Sequence, residues 1–150
     1  TARDGEKDSV DYYFISKIEF ETRIKNNEFA EWASVYDNYY GTLKIEIDLN
    51  IKKAKDVLLD IDVQGAYQLK KIYNEANYIF ILPPTLLKLK ERLKNRSTEN
   101  IESFEKRIKN AISEMEYVDQ YDFVVVNDNL DTAVNKVSSI IISKRCELKL

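Results

Sequence analysis

Histidine is missing from the 150-residue chain altogether, and cysteine occurs once, at Cys146. The first absence excludes a Ser-His-Asp relay, a histidine-ligated zinc and any histidine general base. The second excludes an internal disulfide and fits a reducing cytoplasm. Three glycines and two prolines leave no glycine-rich or proline-rich tract, and there is no internal repeat. No apolar run approaches the ~18 residues of a membrane span. The opening "TARDGEKDSV" lacks the apolar centre of a signal peptide. With a net charge of −3, non-specific nucleic-acid binding is not favoured. Any chemistry here must rest on carboxylates, arginines, hydroxyls or borrowed ligands.

What is present is an ordinary globular composition, 44 % apolar and 33 % charged, long enough for one domain with a core. Ten tyrosines are many for this length, and Tyr12, Tyr13, Tyr36, Tyr39 and Tyr40 fall early. "DYYFIS" (11–16) reads as a short strand and 17–27 as a small helix. "EWASVYDNYYGT" (31–42), with a turn signal at Asp37-Asn38, reads as a hairpin. Residues 43–55 read as a helix, and "DVLLDID" (56–62) as a buried strand. A helix at 63–76 and a strand at 77–84 follow. Residues 85–96 read as a helix with Thr85 as N-cap. A polar turn at 97–100 leads into a long helix reaching 120, then a strand at 121–127 and a closing helix at 129–148. From residue 56 onward, strands alternate with helices, the pattern of a parallel sheet covered on both faces.

Three groups of residues could carry chemistry. Asp60 and Asp62, two apart on the expected strand, would share a face at its C-terminal end, where α/β sheets place ligands. They could hold Mg²⁺ through water, or simply be solvated as the strand leaves the core; Gly65 beyond them reads as a close-packing position. Arg92 and Arg96 share one helix face, and Arg107 follows on the next helix. Guanidinium forks match phosphate oxygens, although a solvated helix face is the blander reading. In the hairpin, Glu31 can accept two hydrogen bonds from adjacent donors, as the N1–H and 2-amino edge of guanine offers. Tyr12 and Tyr40 can donate to phosphate oxygens, Thr42 adds a hydroxyl, and Gly41 permits a close approach of backbone and ligand. The alternative is a surface hairpin with an aromatic cluster on Trp32.

Read in order, these segments resemble the guanylate kinases. "TARDGEKDSVDYYF" is similar to the family's T-T-R-x-P-R-x-G-E-x-x-G-x-D-Y-x-F. "EWASVYDNYYGT" is similar to E-W…G-x-Y-Y-G-[ST], with Asp37 where glycine is usual. "LDIDVQG", "IFILPPTLLKLKERLKNRST" and "YDFVVVNDNL" resemble three further family motifs, with Thr85 and Ser97 as departures. Each motif is weak alone, and five in collinear order are not. The resemblance implies an α/β fold, a P-loop kinase-like core of parallel sheet flanked by helices. It adds a small mixed or antiparallel GMP-binding insert, here residues 1–42, on a core of 43–150 with a helical lid near 93–107. It implies transfer of the γ-phosphate of ATP to GMP with Mg²⁺, in purine nucleotide metabolism in the cytoplasm, with no nucleic-acid or membrane partner. Arg3, Tyr12 and Tyr40 would hold the GMP phosphate, Glu31 and Thr42 would read guanine with Gly41 between them, and Asp60 would lie beside the nucleotide. Asp62 would lie near the metal, Arg92, Arg96 and Arg107 would bracket the phosphates, and Asn127 would lie near adenine.

Two departures bear on activity. The family's P-loop, G-x-x-G-x-G-K-[ST], does not occur in the 150 residues, and without it nothing cradles the ATP phosphates. "TARDGE" is also three residues shorter than its family counterpart, so the second phosphate-binding arginine has no equivalent. The expectation is that these residues omit segments of a longer chain. An intact mass of 17.6 kDa would overturn it, and a chain truly starting at Thr1 should not phosphorylate GMP. A non-catalytic, protein-binding guanylate-kinase-like module is the alternative; the retained arginines of the lid argue against it.

Overall fold

The computed structural model describes residues 5–35, 38–96 and 101–148. The chain divides into two compact units, Thr1–Ala76 and Asn77–Leu150.

In the first unit, α1 (Lys17–Lys25) starts at Ser16, whose hydroxyl accepts from the Glu19 N–H at 3.1 Å. It ends at Asn26, and Asn27 takes a positive φ of 57°, a conformation asparagine tolerates better than most residues. The chain then runs into the expected hairpin, β1 (Phe29–Val35) against β2 (Asn38–Leu43). Glu31 lies opposite Thr42, Trp32 opposite Gly41 and Ala33 opposite Tyr40, with a register irregularity between Phe29 and Glu31. Period-two alternation therefore gives the hairpin two distinct faces. One carries Trp32 and Tyr39, ring centroids 5.9 Å apart, and Phe20 of α1 stacks on both Phe29 and Tyr39. The other carries Glu31, Tyr40 and Thr42. The expected helix after the hairpin is α2 (Lys44–Lys52), followed by α3 (Val63–Lys70).

In the second unit, β3 (Ile79–Leu82) pairs in parallel with β4 (Phe123–Val126). The connection runs through α4 (Leu86–Arg96) and α5 (Ile101–Met115), which pack on each other, so the unit is a β-helix-β crossover. Thr85 caps α4 as expected, its Oγ1 accepting from the Lys88 N–H at 3.1 Å. The closing helix α6 (Leu130–Arg145) is capped by Asn129 and packs on β4.

Several expectations need correction. Residues 11–16 form no strand. The side chains of Asp8 and Asp11 take the N–H groups of Phe14 and Lys7, satisfying locally what a strand would offer a neighbour. "DVLLDID" is not a strand either. Residues 56–62 find no ladder partner among the described residues, and Leu58 is 77 % exposed. A strand exists only through its neighbour's hydrogen bonds, so apolar content alone did not suffice. The shared strand face expected of Asp60 and Asp62 goes with it. The helix expected over 63–76 stops at Lys70, because the chain must turn before β3. The long helix stops at Met115, with a short 3₁₀ turn at Val118–Gln120; the 97–100 turn lies outside the described residues. Cover on both faces of the parallel pair is also not found among the described residues. Val125 is buried, whereas Val124 and Val126 are largely exposed.

Candidate functional site

The first unit brings the nucleotide-recognition candidates together around one buried charge. Glu31 is a charged side chain in the core, only 6 % exposed. The Thr42 hydroxyl, directly across the hairpin, donates to Glu31 Oε1 at 2.6 Å. From the other side comes α3. Asp62 caps that helix, its Oδ1 accepting the Gly65 N–H at 2.8 Å. A Cβ placed on Gly65 would stand 2.8 Å from Glu31 Oε2 and 3.4 Å from Asp62 Oδ1. Burial raises the Glu31 pKa above the ordinary carboxylate value, and the nearby Asp62 charge adds to this; the Thr42 hydroxyl acts in the opposite direction. Among the described residues Glu31 makes no salt bridge, and it has acceptor capacity beyond the hydroxyl and backbone N–H of Thr42. It suits a ligand that brings two neutral N–H donors.

Beside it, the Tyr12 and Tyr40 rings meet edge-on with centroids 5.8 Å apart. Tyr12 is about half exposed, positioned by the aspartate-held loop at 7–14. Gly41 has a packing reason of its own. A Cβ there would lie 2.8 Å from the Glu31 carbonyl oxygen and 2.9 Å from Trp32 Cβ, so the close approach it allows is between the two strands. Asp60 is exposed and Asp62 half-buried. Arg3 lies outside the described residues.

Gln68, one turn beyond Gly65, was not singled out by the sequence reading. Its side-chain amide accepts from the Trp32 N–H at 3.2 Å and donates to the Trp32 carbonyl at 2.7 Å. The signal available was its position, one helical turn after the "QG" of "LDIDVQG".

The second unit holds the arginine candidates. Arg92 on α4 donates to the carbonyl of Asn127 at 2.7 Å and to that of Asp128 at 3.2 Å, so a residue expected to bracket the phosphates meets one expected near adenine. Arg107 is half-buried on α5. Arg96 ends α4, and its side chain lies outside the described set. Among the described residues no group of three or more acidic or cysteine side chains is placed to hold a metal ion. Nor, among the described residues, is any helix long and apolar enough to cross a membrane.

Comparison with known proteins identifies the family and the fold. The family model for guanylate kinase matches residues 1–144. The chain is 49 % identical over 146 residues to guanylate kinase of Clostridium tetani, covering 97 % of this chain and 70 % of that protein. Against guanylate kinase of Caldanaerobacter subterraneus the identity is 45 % over 146 residues, covering 97 % and 71 %. The crystal structure of guanylate kinase from Anaplasma phagocytophilum superposes with a TM-score of 0.83 at 32 % identity, over 98 % of this chain and 72 % of that one. The fold is therefore the α/β, P-loop kinase-like one, and the non-catalytic module is not favoured. With the family model matching residues 1–144 and these relatives aligned over 97 % of this chain, the chain belongs to the guanylate kinase family of ATP:GMP phosphotransferases.

Proposed function

We propose that Glu31 and Thr42 read the guanine of GMP, and that this pair sets the acceptor specificity of ATP-dependent GMP phosphorylation. The observation that carries the reading is the buried, hydroxyl-oriented Glu31 carboxylate. Guanine presents N1–H and the 2-amino group side by side, and a carboxylate can accept both. Adenine presents an unprotonated N1 on that edge and leaves the buried charge unsatisfied, which is the costly outcome. Tyr12 and Tyr40, with Arg3, hold the GMP phosphate, Gly41 keeps the strands close enough to set Thr42 on Glu31, and Asp60 lies beside the nucleotide.

The reaction forms a bond from a GMP phosphate oxygen to the γ-phosphorus of ATP as the bond to the β-phosphate oxygen breaks, giving GDP and ADP. Such transfer needs positioning and charge neutralisation rather than a histidine base. Arg92, Arg96 and Arg107 bracket the phosphates, with Asn127 and Arg96 on the ATP side. The donor set fits Mg²⁺ only in one way. Asp62 already spends one oxygen on the α3 cap, and no dedicated cluster exists among the described residues. Asp62 would be the residue to hold Mg²⁺, through water, the mode in which this ion is commonly bound beside nucleotide phosphates. When bound, it neutralises phosphate charge. The domain reading that follows is a GMP-binding insert at 1–42, a core at 43–150 and a lid near 93–107, acting on nucleotides in the cytoplasm.

The test is a coupled assay for ADP release from ATP and Mg²⁺, with GMP and AMP as separate acceptors, alongside GMP binding in the same sample. GMP-dependent turnover with none on AMP is expected. Equal binding of GMP and AMP would overturn the assignment of Glu31.

A further inference from the structure

We propose that Gly65 and Gln68 of α3 are positioning residues for Glu31, so that base discrimination depends on a helix that need not touch the base. The proposal rests on Glu31 being the guanine reader.

Two independent contacts carry it. Trp32 lies opposite Gly41, yet its N–H and carbonyl both bond to the Gln68 amide. In an antiparallel pair, such a residue turns both peptide groups away from its partner strand. The free edge of β1 would otherwise need another strand or water. Gln68 supplies one donor and one acceptor there, as a neighbouring strand would, and so locks the residue next to Glu31 to α3. The second contact is at Gly65, the third residue of α3. It carries no positive φ, so backbone conformation does not demand glycine. Space does. Glu31 Oε2 occupies the place of a Cβ at 2.8 Å, while Thr42 holds Oε1. One oxygen is thus oriented by a hydroxyl and the other by the gap left in a helix. Any side chain at 65 must push Oε2 aside, and a displacement of that kind alters a two-bond contact more than a one-bond contact.

The probe is the GMP/IMP affinity ratio, measured by calorimetry. IMP keeps N1–H and lacks the 2-amino group, so the ratio reports the second hydrogen bond, which general destabilisation does not change selectively. Gly65→Ala is expected to weaken GMP about tenfold or more and IMP much less, reducing the ratio. Gln68→Met should reduce the ratio less, because it loosens β1 without displacing the carboxylate directly. Stability gives a second reading even if Gly65→Ala folds poorly. In a Glu31→Ala background the same substitution should raise Tm, since alanine is the better helix former once the obstruction is gone. An unchanged GMP/IMP ratio in folded Gly65→Ala, with Glu31→Ala losing it, would overturn the proposal while leaving Glu31 as reader. A lowering of Tm by Gly65→Ala that is equal in both backgrounds would also overturn it. An unchanged ratio in Glu31→Ala itself would overturn the guanine-reading assignment, and this proposal with it.

Discussion

The Glu31 cluster of the first unit and the arginines of the second are built on opposite plans. Glu31 is buried, oriented by Thr42 and backed by α3, with its carboxylate held from two directions. Arg92 is exposed, and its guanidinium rests on two backbone carbonyls at the end of β4. Base discrimination depends on a fixed acceptor pair, because a carboxylate that could swivel would accommodate adenine by turning to water. Charge neutralisation in phosphoryl transfer is wanted chiefly in the transition state. A long, solvated arginine can exchange carbonyl partners for phosphate oxygens at little desolvation cost. On the roles proposed above, specificity would be carried by rigidity and burial, and catalysis by reach.

If that contrast holds, the largest effect should come from the arginine side. Arg96→Ala should lower kcat in the coupled assay by about 10³-fold, the scale typical of transition-state arginines, with GMP affinity nearly unchanged. A parallel loss of GMP affinity would mean that Arg96 belongs to ground-state binding and would erase the distinction. Next in size is Glu31→Ala. Removing two hydrogen bonds to a charged acceptor should weaken GMP by roughly 100-fold or more and relax the preference over AMP; equilibrium binding of both nucleotides decides it.

The third prediction sharpens the cost of preorganisation. The Glu31 pKa is raised in the fold by burial and by Asp62, so between the ordinary and the raised value the native state holds a proton that the unfolded chain has released. Stability should fall as pH rises from the ordinary glutamate value, about 4.3, through the raised one, and the penalty is complete above it. Glu31→Gln carries no such penalty. It should show a higher Tm than the parent protein at neutral pH, with the difference shrinking toward zero in acid, while GMP binding is lost. Equal Tm values across the pH range would show that Glu31 is not strained by its burial. The smallest expected effect is Tyr73→Phe, which removes the 2.8 Å bond to Asp48 between α2 and the segment after α3. The Tyr73 hydroxyl is pushed up to about 12 by burial first and then by Asp48. About 1 kcal/mol of stability should be lost, by chemical denaturation, with no change in nucleotide preference.

Much of this was readable from the residues. The hairpin at 31–42, the capped helix after Thr85, the strand after Asn77 and the closing helix all follow from periodicity and end signals that act over a few residues. The strands expected at 11–16 and 56–62, the second from its compact apolar run bounded by charge, were both wrong for one reason. Strand formation is a contract with a neighbour, and the neighbour is not in the local sequence. The site shows the same division. Residue types singled out Glu31, Tyr40, Thr42 and the arginines, whereas Gln68 was passed over because its role lies in bonding the peptide groups of a residue 36 positions away.

The sequence by itself determined the chemistry on offer and the family: no histidine, arginines at helical spacing, and five motifs in collinear order. Only the tertiary structure decided which of those groups is buried and what holds it. Hydrogen-bond capacity belongs to a residue type, but desolvation and aim belong to its surroundings. For Glu31 these surroundings are a strand opposite and a helix some thirty residues further along the chain, brought to within contact only by the fold.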